Sequence, residues 1–514
     1  MILKLAAGDL PFNPGRPTHR RPATWVAGIT GTGRALCPGR KSRHRVRAIR
    51  RGSDATGSVC LPPLKPIKLS SDLHHVLVWT WAGSAVPLAW TTAPRAGRDF
   101  GASMSKTILV IGTYDTKDAE LLYVCDRIRM MGGRVVSMDV SVLGDPSLPT
   151  DISKHEVAGA GGSSIAGAIA LGDENQAMQV MARGAAVLTA QLYRDGKIDG
   201  MLALGGSMGT DLALDCARAL PIGVPKYVVS TISFSALIPP DRLSADIQMI
   251  LWAGGLYGLN ELCKSSLSQA AGAVLGAAMA VEPPRPDRPV IAMTGFSSSV
   301  LKCMVYLRQP LLDRGFSVAV FHATGMGGMA MESLAAQGYF ACVLDFAVAE
   351  VGNLMVGSII NAGENRMMSA GLAGIPQIVA PGFADLVDFA AWAPVAERLR
   401  GRPYHAHNRL IASAALTGDE RRDLIRDIAR RLRSAKAPVH FVLPLQGIEE
   451  WDRDGSPLRD EAAMAALNDE VRQVMTDPIQ LSVIDVHIND LGFSEKVLEV
   501  LDGWIADGTI KMTR

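Results

Sequence analysis

From about residue 104 onward, short runs of consecutive apolar residues alternate with longer stretches in which apolar positions recur every three to four residues. The runs at 107–111, 134–140, 200–204, 226–230, 290–294, 317–322, 342–346, 377–380 and 439–443 read as strands, and their near-continuous apolarity predicts burial on both faces of a sheet. Helical periodicity fills the intervals. Residues 117–131 place Leu121, Val124, Cys125 and Ile128 on one face, begin behind Asp115 or Thr116 as N-cap and stop at Gly132-Gly133. Residues 419–434 follow a Thr417-x-x-Glu420 capping box. This alternation predicts an α/β fold with parallel sheets covered by helices on both sides.

The pattern occurs twice. A strand ending at Gly112, a helix and a strand opening after Gly133 are echoed by a strand ending at Gly295, a helix and a strand opening after Gly315, with glycine spacings of 21 and 20 residues. The Pro-rich, charged stretch 282–289 separates the two copies. The expectation is two Rossmann-like, doubly wound parallel-sheet domains, 104–284 and 289–514, facing a cleft, with ligands beyond the carboxyl ends of the strands.

Charge separates off the first part of the chain. Residues 1–103 hold sixteen Lys/Arg against four Asp and no Glu, a formal +12, whereas the rest carries a formal −10. That segment contains ten of the 29 Pro, half of the eight Trp and a basic run at 40–51, with one short strand-like stretch at 76–81. It reads as an unfolded leader or an overextended reading frame, so its charge does not point to specific nucleic-acid binding by the folded part. Apolar stretches fall short of the roughly 18–20 residues of a membrane-spanning helix, and seven widely spaced Cys without a C-x-x-C pair suggest reduced thiols in a cytoplasmic protein.

The loops after the strands carry the candidate chemistry. Gly205-Gly206-Ser207-Met208-Gly209-Thr210 stands between a strand and a helix, where glycines allow close approach and helix-start amides with the Ser207 and Thr210 hydroxyls can bind phosphate oxygens. It is neither a Walker loop nor G-x-G-x-x-G. The second half offers His322-Ala323-Thr324-Gly325-Met326-Gly327-Gly328, running on to Glu332, as a partner loop at an equivalent edge. Further polar groups stand at strand ends: Gly112, Thr113, Asp115 and Lys117, Asp139 with Ser141, Thr231 after Ser230, Asp345 with Glu350, and Asp385. Lys117 could neutralise phosphate, and Asp115 or Asp139 could hold Mg²⁺, although Asp115 could equally cap its helix. His405 and His407 lack a third metal ligand at a recognisable spacing. The arginines of 421–433, interleaved with acids, read as a solvated, salt-bridged helix face.

Together the runs at 112–117 and 205–210, Leu-Pro-Ile-Gly-Val-Pro-Lys at 220–226, Val-Ser-Thr at 229–231, Phe-His-Ala-Thr-Gly-Met-Gly-Gly-Met-Ala-Met-Glu at 321–332, Gly-Ile-Pro-Gln at 374–377 and Tyr-His-Ala-His-Asn at 404–408 resemble the ATP-binding domain family named for the plant tobamovirus-resistance protein, which is widespread in bacteria. The resemblance implies two Rossmann-like subdomains holding ATP and Mg²⁺ between them, homodimers, and in the plant member a protein partner. The chain departs from the family pattern after Thr231, around Gly295 and near Thr417.

Three functions follow as expectations: a nucleotide-binding protein whose two glycine loops hold phosphates; an enzyme acting on a small phosphorylated or carboxylate substrate, a hydrolase, ligase or isomerase with His322, His405 or His407 as general acid/base; or a nucleotide-regulated protein-interaction module.

Overall fold

A computed structural model describes residues 105–284, 287–296 and 300–512, all within one compact unit. The leader expected at 1–103, its strand-like stretch and its two cysteines lie outside the described residues. In the first half, β1 (Thr107–Gly112), β2 (Arg134–Asp139), β3 (Gly200–Gly205), β4 (Lys226–Ser230) and β5 (Gln248–Leu251) form a parallel sheet in the order β2-β1-β3-β4-β5. Alternate residues feed two cores. Leu109, Ile111, Met201 and Ala203 meet Val157, Met181, Leu212 and Cys216 of the helices on one face. Ile108, Val110, Leu202 and Leu204 meet Leu121, Val124, Leu267 and Val274 on the other.

The second half repeats this with β6 (Val290–Gly295), β7 (Ser317–His322), β8 (Cys342–Asp345) and β9 (Gln377–Val379). A small antiparallel sheet interrupts the winding: β10 (Leu386–Ala390), β11 (Tyr404–Ala406) and β12 (Ile411–Ala415), ordered β10-β12-β11. The chain then returns through β13 (Val439–Pro444) and β14 (Ile479–Ile484) to complete a parallel sheet ordered β14-β13-β9-β8-β6-β7. Two doubly wound sheets are thus present, as the apolar pattern predicts. The pattern misses β5, β14 and the antiparallel strands. β5, β11 and β14 are partly exposed edge strands, while β10 and β12, although largely buried, carry Asp388 and Ser413 at their centres, so none forms a continuous apolar run.

One predicted helix start differs in detail. The helix Asp118–Met130 is capped by Lys117, without a side-chain cap, because the Asp115 carboxylate turns away to accept from the Gly144 amide. Gly132, at φ +85°, ends it. The Thr417–Glu420 capping box is present. Cys125, Cys216, Cys263, Cys303 and Cys342 are free and buried. Among the described residues no helix is long and apolar enough to cross a membrane.

Candidate functional site

In the first sheet the winding reverses at β1, with β2 on one side and β3 on the other, so a crevice opens between the carboxyl ends of β1 and β3. Gly112–Lys117 and Gly205–Thr210 both leave the sheet there. Gly206 caps the helix Ser207–Arg218 without a side-chain acceptor, which leaves first-turn amides available to a ligand. A Cβ on Gly206 would meet only Thr231 Oγ1, at 3.8 Å, so this side of the loop is open and Thr231 forms its rim. Gly205 has another reason to be glycine. Its Cβ would lie 2.6 Å from Gly209 Cα, so it lets the strand and helix close together. Thr210 is buried and its hydroxyl is bound to Ser230 Oγ at 2.7 Å, while Ser207 remains exposed.

The opposite lip is braced from beneath. Asp139 is 1% exposed and its Oδ1 accepts from the Tyr114 amide at 3.2 Å and the Ser141 amide at 2.9 Å, as well as from the Ser141 hydroxyl. Thr113 and Thr116 pair through their hydroxyls at 3.0 Å, and Lys117 Nζ donates to Thr116 Oγ1 at 3.3 Å. Among the described residues no group of three or more His, Cys, Asp or Glu is arranged to hold a metal ion.

The second glycine loop is built differently. It follows β7, the second strand of its half, whereas the first follows β3, the third strand, so the two do not occupy equivalent positions. The topological counterpart of the first loop is the turn after β8, which leads from Asp345 to Glu350. Glu350, fully buried, reaches into the second loop and its Oε1 accepts from the amides of Gly325 at 2.5 Å and Gly328 at 3.1 Å. Arg366 holds Oε2 of the same carboxylate at 2.7 Å and also pairs with Asp345. Glu332 is drawn into this cluster, accepting from the Met367 and Ser369 amides and facing Arg366. Burial pushes the Glu350 carboxyl up to about 7 against the pull of Arg366. Gly327 must lack a side chain because a Cβ there would fall on the His322 backbone. These amides therefore serve an internal carboxylate, while Thr324 turns its hydroxyl to His322 Nδ1 at 3.1 Å.

The three candidate histidines do come together. At the carboxyl edge of the second sheet, His322 stacks on Phe296, Phe296 touches Phe383, Phe383 meets Trp451, and Trp451 carries His405 at 4.0 Å and His407 at 6.2 Å between ring centroids. Burial and the neighbouring His407 hold His322 and His405 below the ordinary histidine value. In the antiparallel sheet Asp388, Ser413 and His405 stand in one cross-strand row, with Ser413 Oγ donating to Asp388 Oδ1 at 2.6 Å. A cavity of about 340 Å³ lies instead at the amino edge of the second parallel sheet, between Val290, Ala341, Pro376 and Lys511, away from all these loops.

The aromatic arc is invisible in the sequence because its rings come from five separate segments: after β6, the end of β7, after β9, β11 with the residue that follows it, and after β13. Two arginines were discoverable. Arg421 and Arg431, expected on a solvated face, are buried; they share the helical face of Leu424, Ile425, Ile428 and Leu432, and that spacing was the available signal. Arg422, Arg426 and Arg430 do form the expected exposed ion pairs.

Comparison with known proteins assigns both halves. Residues 106–283 match the N-terminal domain, and residues 288–505 the C-terminal domain, of the uncharacterised protein family UPF0261. A Brucella melitensis protein of that family is 52% identical over 406 residues, covering 79% of this chain and 97% of its own length. A Clostridium tetani protein is 36% identical over 396 residues, 76% of this chain and 97% of its own. The tomato ToMV susceptible protein tm-1(GCR26) is 25% identical over 420 residues, which cover 77% of this chain and 55% of the tomato protein.

Proposed function

This chain belongs to the uncharacterised protein family UPF0261, and we propose that it binds a nucleotide, ATP or a closely related phosphorylated ligand, with the phosphates at the start of the helix Ser207–Arg218. One observation carries the proposal: a helix start with no side-chain cap stands at the switch point of a parallel sheet, open on the Gly206 side towards the Thr231 hydroxyl. Ser207 adds a hydroxyl and Lys117, across the crevice, a positive charge. Both acidic candidates for Mg²⁺ have one oxygen engaged, Asp139 Oδ1 by the loop amides and Asp115 Oδ2 by the Gly144 amide, so either would meet a metal arriving with the phosphates through its other oxygen. Titration calorimetry of the full chain with ATP and ADP in Mg²⁺ buffer tests this. Saturable binding that weakens at least about tenfold in Gly206→Val is expected, and absence of binding by the unmodified protein rejects it.

A second reading is enzymatic. The gathering of His322, His405 and His407 around Trp451 and Phe383 favours it, because imidazoles held together beside an apolar wall can pass protons to and from a bound substrate. Loss of turnover of a phosphorylated or carboxylate substrate in His405→Ala, with nucleotide affinity kept, would support that reading over simple binding.

A further inference from the structure

We propose that the carboxyl edge of the second sheet, between β9 and β13, contains a separate binding site for a compact neutral polyhydroxylated molecule, a polyol or monosaccharide, seated against Trp451. The proposal starts from polar atoms that the fold buries and leaves unmet. Asp385, in the loop after β9, is 1% exposed, and neither carboxylate oxygen finds a partner beyond the residue's own amide. Arg421, in the first turn of the helix Gly418–Leu432, is fully buried; its Nε donates to Leu416 O at 3.2 Å, but both terminal nitrogens are without a partner. Glu449, in the loop after β13, accepts from the Trp451 amide through one oxygen at 2.7 Å and leaves the other unmet.

These groups belong to one place. Leu416 ties two of them together, since its amide donates to Asp385 O at 2.8 Å and its carbonyl receives Arg421. Asp385 feels the charges of Arg421 and Asp452, and Glu449 feels those of Asp385 and Asp452. Asp452 itself is occupied, by the Ile448 amide at 2.7 Å and His487 at 3.3 Å. What is left is a mixed set: guanidinium donors from Arg421 and carboxyl oxygens from Asp385 and Glu449. Folded proteins seldom leave such groups unsatisfied, and each one asks for a partner.

Two features select the partner's chemistry. A hydroxyl both donates and accepts, so a molecule bearing several of them serves guanidinium and carboxyl groups together. An ionised phosphate or carboxylate set directly against these side chains would instead add negative charge beside Asp385 and Asp452 and would offer no donor to the unmet carboxyl oxygens of Asp385 and Glu449. The same two loops also supply the ring wall. Phe383 is two residues from Asp385 and Trp451 two from Glu449, and the half-buried Trp451 ring meets Phe383 at 5.8 Å and His405 at 4.0 Å between centroids. The C–H face of a sugar or cyclitol packs on such a ring while its hydroxyls reach inward.

Titration of the full chain with glycerol, myo-inositol, D-ribose and D-glucose, one at a time and without nucleotide, tests the site. Saturable binding of at least one probe is expected, weakened at least about tenfold by Trp451→Ala and by Asp385→Asn. Trp451→Ala is the safeguard should Asp385→Asn fold poorly, because this ring is only half-buried. A parallel ATP titration separates the two sites: polyol binding without ATP binding overturns only the nucleotide proposal. If no probe saturates, or if neither substitution weakens binding, or if a crystal grown in the probes shows only ordered water at Asp385 and Arg421, the polyol site is overturned.

Discussion

Gly205 and Gly206 are neighbours with separate duties, and substitution should tell them apart. A methyl on Gly205 runs into the backbone of Gly209, so Gly205→Ala is expected to cost about 1–3 kcal/mol in chemical denaturation. A side chain on Gly206 meets only Thr231 Oγ1, so Gly206→Val should cost no more than about 1 kcal/mol, the effect of a β-branched residue at an N-cap, while lowering ligand affinity. Arg366 is a different case, a fully buried cation among Asp345, Glu350 and Glu332. Arg366→Met would strand these carboxylates, and a loss of about 3–5 kcal/mol is expected from denaturant unfolding. Glu350 also makes stability depend on pH. Its carboxyl rises from the ordinary 4.5 to about 7 on folding, so its contribution is complete below 4.5 and is lost as the pH rises through about 7. Stability measured across that interval should fall less steeply in Glu350→Gln than in the parent chain.

The helix Gly418–Leu432 combines features that were legible in sequence with one that was misread. Its capping box follows from Thr417 and Glu420 alone, and Thr417→Ala should cost about 1 kcal/mol of stability. Glu420, although partly desolvated, is held at about 2 by Arg402, the Thr417 amide and Arg398. Its carboxyl is depressed by folding, so its contribution is full above 4.5 and is lost as the pH falls towards 2. Acid unfolding followed by circular dichroism should therefore begin at higher pH in the Arg402→Met variant, which loses the salt bridge but keeps the cap. The misreading concerned Arg421. An alternating acid–base run suggests solvent, yet the same 3.6-residue period that places Leu424 and Ile428 in the core also places Arg421 there. At this scale period is the better guide than residue type, since a helix buries a face whatever stands on it.

Across the whole molecule the charge divides sharply: +12 over residues 1–103 and −10 over the remainder. A chain shortened to begin at Met104 is expected to keep its ligand affinity and to pass a heparin column unretained, because attraction to a polyanion scales with the basic charge removed. The two wound halves, their order and the first glycine loop at a strand end were all readable from the chain, because strands buried on both faces must be continuously apolar and the residues after them must turn. The sequence could show two glycine loops but not that they hold different things. Only the fold brings Glu350, from a neighbouring turn, into the amides of the second, and only the fold gathers Phe296, His322, Phe383, His405 and Trp451 into one arc. Local patterns record which residues must be buried and where the chain must turn; which groups meet after burial depends on strand order and on contacts between residues distant along the chain.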